Sequence, residues 1–154
     1  MIHIQGEFPA RSLLKRAARL TLETATGANP PRPAAKVDLT VVLADDAMLR
    51  EMNREYLGID APTDVLSFPA SDADPETGRR YLGDVLISIP RAAAQAQAAS
   101  HSLEAEVQLL VVHGVLHLLG HDHAGTEEKE RMWSAQSEVL KRLGLSHIRI
   151  REAE

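Results

Sequence analysis

The chemistry-bearing residues of this 154-residue chain crowd into one stretch, 113–123. It reads His-Gly-Val-Leu-His-Leu-Leu-Gly-His-Asp-His and holds four of the seven histidines. His113 and His117 lie four apart, so on a helix their rings share one face, one turn apart. Gly120 stands where a helix C-terminal glycine lets the chain reverse, and that reversal can return His123 to the same point. Three imidazoles converging there make a site for a divalent ion. Neutral imidazole without thiolate suits Zn²⁺ first, then Ni, Cu or Fe. Three protein ligands leave one position open, which is the catalytic rather than the structural pattern. A water in that position loses its proton near pH ~7 and becomes a nucleophile. The bland alternative is three buried histidines, each satisfied by a backbone or carboxylate partner. It must hold three times on one convergent geometry, and polar rings in an apolar helix are costly unless something pairs them. His113, His117 and His123 are therefore the expected metal ligands.

The neighbours of the histidines carry further signals. Asp122, beside His123, either fixes the tautomer of a ligand imidazole or serves as general base. Gly114 costs a helix about 1 kcal/mol relative to Ala. It either packs closely against a strand or leaves room beside the ion. The spacing is also that of the metzincin zinc proteases, H-E-x-x-H-x-x-G-x-x-H, with Gly114 where the Glu base would stand. That replacement argues against a protease working by the glutamate route while keeping a zincin-like geometry. Away from this stretch, Arg11, Lys15 and Arg19 recur every four residues with Arg16 beside them. The stripe is either a solvated face or, on the resemblance described below, a contact for an RNA backbone or ribosome, since phosphate contacts position without reading sequence.

The histidines must be carried by a long helix. Ser102 can cap it, Glu104 and Glu106 suit its positive end, and it runs to about residue 119. Its second half is apolar on nearly all sides, so it belongs in the middle of the molecule. Around it, Ile2 and Ile4 suggest a short first strand, and residues 9–26 read as an amphipathic helix stopped by Gly27. Asn29-Pro30-Pro31-Arg32-Pro33 reads as a stiff loop. Alternation through Val37, Leu39, Val41 and Leu43 predicts a strand. Asp45 or Asp46 then caps a helix ended by Gly58. Val65-Leu66-Ser67-Phe68 is a short strand cut off by Pro69, residues 70–80 a polar loop, residues 82–89 a strand, and residues 91–99 an Ala/Gln-rich helix with Pro90 at its start. A last helix begins at Thr126, keeps Met132, Gln136, Val139, Leu140 and Leu143 inside, and ends at Gly144. The expected class is α+β: a single domain over residues 1–154, with one small mixed sheet of about four strands, about five helices, and the histidine helix at the centre.

Composition narrows the classes. The absence of cysteine excludes disulfides, iron–sulfur clusters and thiolate zinc sites, and fits a reducing compartment. The first residues lack the basic-then-apolar pattern of a signal peptide, and no run of 18 apolar residues predicts a membrane span. With 17 basic and 22 acidic residues the net charge is −5, which excludes a strongly basic nucleic-acid binder but not a local basic face. The five aromatics, Phe8, Tyr56, Phe68, Tyr81 and Trp133, leave few platforms for stacking bases.

The histidine motif, together with Pro62-Thr63-Asp64-Val65-Leu66-Ser67-Phe68-Pro69 and Leu82-Gly83-Asp84, resembles the YbeY-type ribosome-associated endoribonucleases of bacteria. Their signature reads H-G-x-L-H-L-x-G-Y-D-H, and length and element order also match. The resemblance implies a single-zinc, single-domain hydrolase acting in the cytoplasm on ribosomal RNA precursor. It would work in 16S rRNA 3′-end maturation and ribosome quality control, alongside the small ribosomal subunit and its assembly factors. Ser67 falls where the family's strand edge borders the cleft, or is a plain strand serine. Two departures stand out. His121 replaces the family Tyr, either as a solvent-facing substitution or as a fourth ligand. Leu57 replaces an Arg in the family's Tyr-Arg-Gly step, here Tyr56-Leu57-Gly58. Such an Arg would hold a phosphate bidentately; Arg54, three residues earlier, is the candidate substitute, or else a surface charge. The alternatives are a zinc peptidase-like hydrolase, which Gly114 disfavours, and a non-catalytic, metal-stabilised ribosome assembly module.

Overall fold

A computed structural model describes residues 1–24, 37–70, 73–122 and 124–148. Elements run in the order β1 (Ile2–Gln5), α1 (Arg11–Thr24), β2 (Val37–Ala44), α2 (Asp46–Leu57), β3 (Val65–Pro69), β4 (Arg80–Ser88), α3 (Ile89–Ala99), α4 (Leu103–Leu118) and α5 (Thr126–Arg142). The four strands form one sheet in the order β1-β2-β4-β3. β1, β2 and β4 are parallel, and β3 pairs antiparallel to β4 at the sheet edge. The expected α+β class, with one four-stranded mixed sheet and five helices among the described residues, is what the chain adopts. No helix among them is long and apolar enough to cross a membrane.

Several boundaries differ from the sequence reading, among them the end of β3, which includes Pro69 rather than stopping before it. The first helix starts at Arg11 rather than residue 9, because Pro9 and Ala10 form a turn whose Ala10 carbonyl accepts from Leu13 N–H. The strand expected over residues 82–89 begins at Arg80 and ends at Ser88. There the Ser88 hydroxyl caps α3 by accepting from Arg91 N–H at 3.3 Å, so the helix starts at Ile89 with Pro90 in its first turn. Gly27, the proline loop at 29–33, and His123 lie outside the described residues.

Alternation along β3 and β4 separates two apolar layers. Val85 and Ile87 join α1, α4 and α5 in the main core. Leu66 and Leu86 point to the opposite face, where Leu49 of α2 covers them with Met52 and Phe68 alongside. Helix α4 is the axle of the main core and packs on α1, α3, α5, β3 and β4. Its cap is the expected one, with Ser102 Oγ accepting from Ala105 N–H at 3.1 Å. From Ala105 to Leu118 every residue except His117 is buried. Where β4 meets the end of β3, Gly83 has φ +135°, and a Cβ there would lie 2.2 Å from the Phe68 carbonyl oxygen. Only glycine lets the end of β3 approach β4 this closely.

Candidate functional site

The break in burial at His117 marks a cleft. The open space, about 440 Å³, has β3 and the residues before it on one side and the C-terminal half of α4 on the other. Asp64, Val65 and Ser67 line the first wall, His113 and His117 the second, and His121 and Asp122 close the end. The His113 and His117 rings meet edge to face, with centroids 4.8 Å apart and planes at 75°. The i, i+4 spacing does what the sequence implied: both rings stand on the same side of α4.

His113 is almost fully buried, and its Nδ1 lies 3.0 Å from Gln136 Oε1 on α5. With that oxygen accepting, Nδ1 carries the proton and Nε2 keeps its lone pair. Beyond His117 the helix ends in a Schellman turn. Gly120 sits at φ +95°, its N–H donates to the His117 carbonyl, and His121 N–H donates to the Leu116 carbonyl, both at 3.0 Å. This reversal turns His121 and Asp122 back into the cleft. The ring of His121 is partly buried, and its Nε2 is enclosed with no hydrogen-bond partner.

Gly114 resolves in favour of packing. A Cβ there would stand 2.4 Å from Val85 Cγ1 and 3.2 Å from Ser67 Oγ. The bare Cα lets α4 lie directly on the sheet. In return, the Ser67 hydroxyl donates to the Gly114 carbonyl at 2.9 Å, tying β3 to the histidine helix.

The other candidates scatter. Arg54 is exposed on α2 and forks onto Glu51 at 2.6 and 2.7 Å; it is not among the residues lining the cleft, whereas Leu57 is. Arg11 donates to the outward-facing Ile4 carbonyl of β1. Lys15 and Arg19 border grooves beside Met1 and Ile2, on the opposite sheet edge from the cleft. Among the described residues no three His, Asp or Glu side chains form a metal cluster, and the third expected ligand, His123, is outside them.

Two polar features escaped the sequence reading. Gln136 falls among the inner positions of α5, as the sequence predicts, but its partner His113 does not follow from the spacing. The second is a buried chain beneath the Asp64 wall. His101 Nε2 lies 2.6 Å from Glu106 Oε1, and Glu106 is wholly buried in α4. With its nitrogen turned toward the two carboxylates, the Gln95 amide reaches Glu106 Oε2 at 3.0 Å and Asp64 Oδ2 at 3.3 Å. Asp64 is itself buried, and its carbonyl accepts from Ser88 N–H at 2.9 Å. Glu106 had suggested only helix-dipole stabilisation, because nothing in a linear sequence says that three separate segments will meet.

The frame is that of a small α+β protein with a two-histidine helix opening on an edge-strand cleft. The overall fold is similar to that of the solution structure of TM1509 from Thermotoga maritima, with a TM-score of 0.55 and 25% identity over 99% of both chains. A family model described as Endoribonuclease YbeY matches residues 5–144. An endoribonuclease YbeY of Roseiflexus sp. (strain RS-1) is 43% identical over 141 residues, covering 88% of this chain and 84% of that protein. One from Geobacillus kaustophilus is 46% identical over 136 residues, covering 83% and 85%. The chain belongs to the endoribonuclease YbeY family.

Proposed function

We propose that this chain is a metal-dependent endoribonuclease that hydrolyses phosphodiester bonds within single-stranded ribosomal RNA precursor, at the 3′ end of 16S rRNA. It would also act in ribosome quality control, in the cytoplasm and beside the small ribosomal subunit and its assembly factors. Membership of the family supports the RNA substrate. The observation that carries the chemistry is the His113–His117 pair at the cleft, with His113 held by Gln136 through Nδ1.

The residues present suit a borderline divalent ion, zinc first and nickel or another transition metal next. The donors are imidazoles without thiolate. His113, with Nδ1 beside Gln136, would coordinate through Nε2, and His121 Nε2 is an enclosed nitrogen in need of a partner. His113, His117 and His123 would hold the ion. When bound, it supplies Lewis acidity, which polarises a phosphoryl oxygen and acidifies water. Gln136 fixes the ring and tautomer of His113, and Asp122 would do the same for His123. Arg54 is the candidate for countering phosphate charge. Arg11, Lys15 and Arg19 would position RNA outside the cleft, with Arg11 also satisfying the edge of β1.

The test is cleavage of a ribosomal RNA precursor by metal-loaded wild type and His117→Ala, with metal content measured on the same samples. The reading expects one zinc per chain and cleavage, both lost in His117→Ala. Metal-independent cleavage, or none by the loaded wild type, would refute it.

A further inference from the structure

The cleft poses a problem for an anionic substrate. Among the described residues lining it there is no Lys or Arg, and two of them, Asp64 and Asp122, are acidic. Beyond the one phosphate that a bound ion would meet, an RNA strand lying there finds no cationic side chain among the described residues of the cleft wall, and the register of β3 offers neutral donors instead. Ser88 N–H donates to the Asp64 carbonyl, and Ala70 N–H donates to the Leu82 carbonyl. The antiparallel pairing Val65↔Ile87, Leu66↔Leu86, Ser67↔Val85 and Phe68↔Asp84 runs between those two bonds without a shift. Hydrogen-bonded pairs alternate in such a ladder, so positions 64, 66, 68 and 70 face β4. Val65 and Ser67 therefore turn both their N–H and their C=O away from the sheet. Both residues line the cleft, and β3 is the last strand of the sheet.

We propose that this free edge of β3 reads the ribose–phosphate backbone of the RNA: the N–H groups of Val65 and Ser67 donate to successive phosphates, and the carbonyls of the same residues accept from 2′-hydroxyls. The proposal rests on the endoribonuclease reading and adds the groups that select RNA over DNA. The edge alternates donor and acceptor with a repeat of about 7 Å, twice the ~3.4 Å rise per residue. An extended ribonucleotide strand alternates in the complementary sense, with phosphate oxygens accepting and 2′-hydroxyls donating. Backbone amides are ordinary phosphate partners, and the 2′-hydroxyl is what distinguishes RNA from DNA at a site. The hydroxyl proton of Ser67 is committed to Gly114, so its contribution comes from the main chain. Recognition of this kind is blind to base identity, in keeping with a cleft that none of the five aromatic residues lines. A free edge can also take up an extended peptide. Pro69 has no N–H, however, which leaves two repeats: short for strand addition, and enough for two nucleotides.

The experiment is a cleavage scan by the metal-loaded full chain. Single-site oligoribonucleotides carry one 2′-deoxy sugar or one methylphosphonate at each position around the cut. Two adjacent nucleotides are expected to raise KM about 5- to 10-fold when modified, the worth of one hydrogen bond to a charged or well-placed group, with little change in kcat. The protein-side partner replaces Val65 by its α-hydroxy-acid analogue, turning the Asp64–Val65 amide into an ester; this removes the outward N–H and weakens the Asp64 carbonyl as acceptor for Ser88 N–H, so the stability of the ester protein is measured beside its KM. The replacement should raise KM for unmodified RNA by a similar factor and abolish the sensitivity at one of the two phosphates. A flat scan with normal cleavage overturns the edge proposal and leaves the endoribonuclease reading standing. Loss of cleavage on every RNA overturns both. A flat scan combined with inhibition by an extended peptide assigns the edge to polypeptide and equally overturns the proposal.

Discussion

Gly114→Ala is the sharpest probe of how the site is built. A helix-interior glycine replaced by alanine should gain about 1 kcal/mol from propensity alone. Here the new methyl would sit 2.4 Å from Val85 Cγ1 and 3.1 Å from Val85 Cγ2, where carbon contacts prefer roughly 3.5–4.0 Å. Val85 is fully buried, and its branched side chain has little rotamer freedom. The overlap of about 1 Å must be relieved by moving α4 off the sheet, and overpacking of this kind costs typically 1–3 kcal/mol. Offset against propensity, a net loss of up to about 2 kcal/mol is expected, or a Tm lower by up to roughly 6 °C for a chain of this size. Calorimetry or urea unfolding reads it. The accompanying cycle uses Val85→Ala, which opens space where the methyl would go. The double variant should be more stable than the sum of the two single effects by about 1–2 kcal/mol. A Gly114→Ala protein about 1 kcal/mol more stable than its parent, the gain from propensity alone, or a cycle that is additive, refutes the packing argument and returns Gly114 to a role beside the ion.

Gln136→Leu should weaken zinc affinity about 10- to 100-fold, the usual cost of losing a partner that orients a ligand histidine, while Gln136→Glu keeps the acceptor and most of the affinity; equal affinities in a chelator-competition titration remove Gln136 from that role. Arg54→Ala should retain zinc and lose RNA cleavage by roughly tenfold or more, the worth of a charge-assisted hydrogen bond; an unchanged rate takes Arg54 out of the mechanism and leaves it as the partner of Glu51. Asp38 is held well below the usual carboxylate range, first by its hydrogen bond from Arg79 and then by one from the N-terminal ammonium. A carboxylate depressed in this way stabilises the fold above its unfolded pKa of ~3.9 and loses that contribution as pH falls toward the folded value. Asp38→Asn should therefore cost about 1 kcal/mol at neutral pH and progressively less below pH ~4; an equal loss at both ends of a urea–pH series contradicts the pairing.

Periodic and capping signals carried the architecture. Ser102 before an apolar run, Asp45 before Met48, and Pro90 in a first turn are local chemistry, and each appears where local chemistry placed it. The His113–His117 pairing was legible for the same reason, since a four-residue spacing on a helix is a geometric statement. Gly120 was legible because only a residue tolerant of positive φ makes the Schellman turn cheap. What stayed hidden depends on elements far apart in the chain. Gln136 finds His113 across 23 residues, and the Asp64–Gln95–Glu106–His101 chain draws on the start of β3, on α3, and on both sides of the α4 cap. The basic stripe illustrates the converse. Arg11, Lys15 and Arg19 recur with helical spacing, yet spacing could not say that Arg11 would turn to the bare carbonyl of an edge strand.

The position of β3 is then the quantity on which the cleft depends, because β3 is held by a single strand partner while α4 is held on every side. Two constraints fix it. Leu66 and Phe68 face the α2 layer around Leu49, so a one-residue slip would carry them to the α4 face and take Ser67 away from it. The Ser67 hydroxyl on the Gly114 carbonyl, together with the Gly114–Val85 contact, sets how closely the strand and helix approach. The separation between the histidine row and the outward amides of Val65 and Ser67 is thus built into packing rather than left to a mobile loop. A substrate strand lying along that edge would meet His113 and His117 at a fixed height, and cleavage position would follow from where the strand lies rather than from which bases it carries.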